Sequence, residues 1–169
     1  FFQVDVTDYE QIRNAVAALV QDRKRIDVLI NTVGTAEFIP AEKITPKQLR
    51  NIIDVNLTGV IYTCQVVGKV MIKQGWGKIV NFGSTAGLTG APYFAHYTAA
   101  KHGVVGLTKA LAVEWGKYNI NVNCICPGAT ETPMFFEATT PEIRKKRAER
   151  IPLRRFAKTI DQANAALFL

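Results

Sequence analysis

The chain has few of the residues that staple small proteins or bind metals. Among 169 residues there are three cysteines, Cys64, Cys124 and Cys126, and two histidines. An odd cysteine count without a C-x-x-C argues against a disulfide framework and against a zinc site. The expectation is ordinary core thiols, with Cys124 and Cys126 two apart on one face of a strand, and a reducing, cytoplasmic setting. No uninterrupted apolar run reads as long enough to cross a bilayer, and "FFQVDVTDYE" does not read as a signal peptide. Repeats, low-complexity tracts and linkers are absent too. Length and composition (48% hydrophobic, 21% charged) suit one globular domain with a core. The formal charge is +7, and eight of the 21 basic residues crowd into "RKKRAERIPLRRFAK", residues 144–158. That run has one aromatic platform, Phe156, and no recognition motif, so no nucleic-acid partner is expected. It reads as a solvated helix face over a cleft, or as an anchor for the phosphates of an acyl carrier substrate.

Strand and helix signals alternate along the chain. "FFQVD" has the apolar character of a buried strand, and Thr7 with Glu10 has the spacing of a capping box for a helix striped by Ile12, Val16 and Leu19. "IDVLIN" at 26–31 is a second strand. Thr45, Pro46 and Gln48 mark a second helix start, predicted to run to Gln74 with Gly75 as its terminator. "GKIVNFG" at 77–83 and "NINVNCICPG" give two further strands around a helix ending near Gly116. A less regular basic stretch follows, then a last helix from about Thr159. This alternation predicts an α/β fold, a doubly wound parallel sheet with helices on both faces and its ligand at the carboxyl ends of the strands.

Within "YFAHYTAAKHG", Tyr97 and Lys101 stand four apart on one helix face. A nearby ammonium favours phenolate and so suits a tyrosine to proton transfer. Such a pair alone is close to chance expectation; its partners decide. Ser84 in "NFGSTAG" lies thirteen residues before Tyr97, and Asn56 sits in "DVNLTG". With "DVTD" near the start, "NTVG" after the second strand and "PGATET" after the fourth, the whole chain resembles the classical short-chain dehydrogenases/reductases.

The resemblance implies a Rossmann-type sheet, a nicotinamide cofactor (NAD or NADP) and hydride exchange with a secondary alcohol or ketone, or a hydroxyacyl thioester. A catalytically silent structural or cofactor-binding subunit is the alternative. It implies a catalytic tetrad of Asn56, Ser84, Tyr97 and Lys101. Cofactor contacts are expected from Asp5, Val6, Asn31, Gly34, Tyr97, Lys101, Pro127, Gly128 and Thr132. Substrate contacts are expected from Ser84, Ala86, Tyr93, Phe94, Met134 and Phe135, with Thr85, Leu88 and Phe136 nearby; this mostly apolar set suits a medium-sized hydrophobic substrate. His96 and His102 read as structural. Two departures stand out. The family's N-N-A-G is "NTVG" here, and its glycine-rich pyrophosphate loop is not in the sequence. Residues 1–169 are accordingly expected to be a single but partial Rossmann domain. About 50 N-terminal residues, a β-α-β unit, and the end of the fold would lie outside it. The helices at 46–74 and 95–116 are apolar beyond one stripe, which with the resemblance predicts a homo-oligomer, a tetramer, built through them.

Overall fold

A computed structural model of the chain describes residues 1–137 and 139–169; Met134 is described by its backbone alone. Helix α1 spans Tyr9–Arg23, β1 Val28–Asn31, α2 Pro46–Ile53, α3 Gly59–Gln74, β2 Gly77–Phe82, α4 Ala95–Trp115 and β3 Ile120–Ile125. Three C-terminal helices follow, α5 Pro133–Glu137, α6 Pro141–Ala148 and α7 Thr159–Phe168. The strands form one parallel sheet in the order β1-β2-β3, with Ile79 opposite Leu29 on one side and Val122 on the other. The expected α/β architecture is the observed one.

Local chemistry explains the helix ends. At α2 the Thr45 hydroxyl accepts from Gln48 N at 3.3 Å, while Gln48 Oε1 accepts from Thr45 N at 3.1 Å, the reciprocal capping box read from the sequence. Gly75 ends α3 with φ +68°, a conformation that glycine adopts without Cβ strain. Two expectations need correction. The cap of α1 is Asp8, not Thr7: Asp8 Oδ1 accepts from the amides of Glu10 and Gln11. Thr7 is engaged elsewhere, donating both its amide and its hydroxyl to Asp5 Oδ1 at 2.8 Å. Residues 1–5 are not a strand either. Their apolar character is real, but among the described residues they form no ladder with β1, β2 or β3.

Helices α2 and α3 are one continuous rod interrupted by a π-turn at Asp54–Thr58. By length and composition alone the rod Pro46–Gln74 could cross a bilayer, although Lys69 and Lys73 interrupt its apolar run. Here its apolar inner face packs on the sheet: Val60, Cys64, Val67 and Met71 meet Ile79, Val104, Trp115 and Val122 in the core. Met71, Ile79 and Val104 are fully buried, each contributing on the order of 1.5–3 kcal/mol. The packing is close enough that a Cβ at Gly68 would stand 2.4 Å from the Trp115 ring.

Candidate active site

A cavity of about 1320 Å³ runs over one face of the sheet, from Val28 and Lys78 at the amino ends of β1 and β2 to Ser84 and Pro127 beyond the carboxyl ends of β2 and β3. Backbone bonds lock its floor: Gly83 N donates to Ile125 O at 2.8 Å and Thr85 N to Pro127 O at 2.9 Å, tying the end of β2 to the end of β3. Ser84 starts a short 3-10 turn, its hydroxyl accepting from Ala86 N at 3.1 Å. Tyr97 and Lys101 reach the same cavity from the first turns of α4.

Lys101 is almost fully buried, and its Nζ donates to Phe82 O at 2.8 Å and lies 5.7 Å from the centre of the Tyr97 ring. Burial lowers its pKa from the ordinary lysine value, while the neighbouring Cys124 and Cys126 sulfurs pull it back up. For Tyr97, burial raises the pKa above the usual phenol value and Ser84, hydrogen-bonding to it, pulls the other way. The expected drift of Tyr97 toward phenolate is therefore not what this arrangement produces. Loss of water around the phenol is the largest cause, and the Lys101 ammonium is committed to a carbonyl.

Asn56 owes its place to the π-turn. It is completely buried; Nδ2 donates to Ile52 O at 3.0 Å and to Thr35 O at 2.8 Å, and Oδ1 accepts from Thr35 N at 3.2 Å. It thus clamps the loop after β1. Gly34, in that loop, fits between two tetrad members: a Cβ there would stand 2.9 Å from Asn56 Oδ1 and 3.6 Å from Lys101 Nζ. Spacing gave no hint of this close approach.

Gly34, Ser84, Ala86, Phe94, Tyr97, Lys101, Pro127, Gly128, Thr132 and Phe135 all line the cavity. Several expected residues do not. Asp5 is exposed and holds Thr7, and Val6 packs against Gly59. Asn31 faces the core, donating to Asn81 Oδ1 at 2.8 Å. Tyr93 is half-exposed with φ +65° and lies outside the cavity, stacking on Phe38 with ring centres 4.7 Å apart. The Met134 side chain lies outside the described residues. The structure adds Phe38, Thr139 and Arg147 to the lining. Phe38 also meets Phe94 at 5.3 Å, and Phe94 meets Tyr97 at 5.9 Å, an aromatic wall leading to the phenol. An exposed aromatic in a loop just past a strand end was the available signal for it. His96 is buried, and neither ring nitrogen has a partner among the described residues. His102 Nδ1 pairs with Thr98 O at 3.0 Å, a local helix contact.

A family model described as enoyl-(acyl carrier protein) reductase matches residues 1–169. The chain belongs to the classical short-chain dehydrogenase/reductase family. It is 40% identical over 168 residues to 3-oxoacyl-(acyl-carrier-protein) reductase FabG of Thermotoga maritima, covering 99% of this chain and 68% of that protein. It is 36% identical to D-threitol dehydrogenase of Mycolicibacterium smegmatis, covering 99% of this chain and 65% of the relative. Among solved structures, levodione reductase superposes with a TM-score of 0.94 at 33% identity, covering 98% of this chain and 67% of that one. ElxO with NADP bound gives 0.94 at 32% identity, covering 100% and 69%. The chain thus spans about two thirds of the length of these short-chain dehydrogenase/reductase relatives.

Proposed function

We propose that the complete protein is an NAD(P)-dependent oxidoreductase that exchanges hydride between a nicotinamide cofactor and a secondary alcohol or ketone. The observation that carries this reading is the meeting of the Tyr97 hydroxyl, Ser84 and Lys101 at one wall of the strand-end cavity. The residues fit the cofactor's nicotinamide end. The flat approach at Gly128 is open, with no atom nearer than 3.9 Å to a Cβ placed there. Lys101 has three donors and one recorded acceptor, leaving donors for ribose hydroxyls. When bound, the nicotinamide supplies or accepts the hydride. Tyr97, held protonated by burial, gives its phenolic proton to the carbonyl oxygen in reduction and recovers it in oxidation. Ser84 holds the same oxygen, and Asn56 keeps the Gly34 loop in the position that Lys101 requires.

The aromatic wall of Phe38, Phe94 and Phe135 favours a medium-sized hydrophobic substrate, with the name of the Thermotoga relative adding acyl thioesters as candidates. We read residues 1–169 as part of a single Rossmann domain, and the active protein as a cytoplasmic homotetramer. Val113 on α4 is 88% exposed and Ile61 on α3 is 37% exposed, apolar groups on the two helices expected to pair. The test is a panel of ketones and alcohols with NADH, NADPH and their oxidised forms, on the full-length protein, followed by nicotinamide absorbance. Turnover of a secondary alcohol or ketone is expected; none with any member of the panel would refute the reading. Light scattering at assay concentration tests assembly, and a monomeric mass of the active enzyme removes the tetramer.

A further inference from the structure

Two of the three thiols stand together. Cys124 and Cys126 project from one side of the end of β3, and their Sγ atoms are 3.8 Å apart. Both residues are partly accessible, whereas Cys64 is sealed in the core at 1% exposure. The pair sits behind the catalytic floor: a Cβ at Gly83 would be 2.9 Å from each sulfur, and Gly83 immediately precedes Ser84. Lys101 is close enough to feel charge on either sulfur. Among the described residues no group of three or more His, Cys, Asp or Glu could hold a metal ion, so a closed tetrahedral site cannot form around the pair. A centre that needs only two sulfurs is a different matter. A trivalent arsenic already carrying one organic group is completed by two.

We propose that Cys124 and Cys126 form a vicinal-dithiol site for monosubstituted trivalent arsenicals, and that its occupation disables the adjoining active site. The reaction balances without an oxidant. With an arsenoxide, both S–H bonds break, two As–S bonds form, and the oxygen leaves with the two protons as water, while arsenic stays trivalent. Two thiols preset on one strand act as an intramolecular pair, so the second bond forms at high effective concentration. Soft thiol sulfur matches the soft centre. Burial and the neighbouring sulfur push the Cys124 pKa up to about 11, so this thiol is protonated at neutral pH and is a poor target for agents that need thiolate. Selectivity therefore falls to reagents that bridge two thiols. A bridging atom on the Gly83 side has no free volume, so the Gly83–Ser84 segment must shift, and Ser84 moves with it.

The binding half stands by itself; the inhibition half rests on the proposed oxidoreductase activity. The reduced full-length protein is incubated with phenylarsine oxide and read by native intact mass and by maleimide mapping of the remaining free thiols after unfolding in urea. One phenylarsenic adduct per chain is expected, with Cys124 and Cys126 protected, removable by 2,3-dimercaptopropanol and not by 2-mercaptoethanol. Cys126→Ala and Cys124→Ala should each weaken the adduct at least ~10²-fold. Stoichiometric reagent should lower ketone reduction at least tenfold in the parent protein and leave Cys126→Ala unaffected. No adduct, an adduct on Cys64, or one that survives Cys126→Ala overturns the site. The wild-type mapping decides this even if a variant fails to fold. An adduct with undiminished turnover overturns the inhibition. An adduct on a protein with no measurable turnover leaves the site standing and refutes the proposed activity instead.

Discussion

Two clusters of buried polar groups lie within a few residues of each other along β2, and they are built on opposite terms. The first, around Asn81, is saturated. Asn31 Nδ2 donates to Asn81 Oδ1 at 2.8 Å, Thr63 to Asn31 Oδ1 at 2.8 Å, Asn81 Nδ2 to Thr108 at 3.0 Å, and Thr108 on to Val104 O at 2.8 Å. The second, beyond Ser84, is short of partners. Tyr97 is desolvated and Lys101 makes one recorded bond; His96 and the Thr98 hydroxyl, beside Tyr97 in sequence, also lack partners among the described residues, though neither lines the cavity. Buried polar groups are normally satisfied, and a satisfied network fixes shape. An unsatisfied one retains bonding capacity for an arriving molecule. The contrast separates a scaffold from a site without reference to motif.

Substitutions can break that distinction. The largest effect is expected at Tyr97→Phe, which removes the proton and leaves the packing: kcat should fall ~10²–10⁴-fold with an unchanged Tm. Wild-type turnover in this variant would remove Tyr97 from the chemistry. Gly34→Ala comes next. Its methyl meets Oδ1 of Asn56, whose side-chain amide is held by three hydrogen bonds, one accepted by Oδ1 and two donated by Nδ2, so the loop must move. A misplacement of this kind should lower kcat/KM by about 10²-fold; unchanged kinetics would show that Asn56 yields instead. In the saturated cluster, Asn81→Ala should behave oppositely, costing ~1–3 kcal/mol in urea denaturation while the folded fraction keeps its kcat. An Asn81→Ala variant that loses rate and keeps stability would dissolve the division between the clusters.

The smallest effect is a shift of profile. Ser84 is the group that lowers the Tyr97 pKa against burial. In Ser84→Ala, on whatever rate survives, Tyr97 should hold its proton to higher pH. The alkaline limb of ketone reduction, which needs the protonated phenol, then moves up, and so does the acid limb of alcohol oxidation, which needs the phenolate. Limbs that stay in place or move down would show that Ser84 does not act on Tyr97.

What the sequence revealed was what local pattern encodes. The Thr45–Gln48 box, Gly75 and the parallel alternation of β1, β2 and β3 depend on neighbours in sequence and were legible there. So was the convergence of Ser84, Tyr97 and Lys101, because a strand end and a helix face fix their directions. One miss was local: Asp8, the next residue, caps α1 while Asp5 holds Thr7. The others had long-range causes: "FFQVD" has the look of a strand but joins no ladder among the described residues. Asn31 has the composition of a binding loop and the environment of a core. Phe38 joins the aromatic wall from more than fifty residues before Phe94 in sequence, and the raised pKa of Tyr97 comes from burial, which spacing cannot report.

The π-turn at Asp54–Thr58 makes the molecule sensitive to length as well as to identity. Such a turn holds one residue more than the α-helical path needs. Deleting any one of its residues would let the rod close into an unbroken α-helix, a gain by helix propensity alone. Ile52 and Val60 would then stand seven residues apart, ~20° from a common face of an α-helix, so both could stay inward, whereas Asn56 would lose the bulged position from which it reaches Thr35. A gap that looks minor in an alignment would therefore leave the core in place and release the loop after β1, whereas most single substitutions on the exposed side of the same rod would disturb neither.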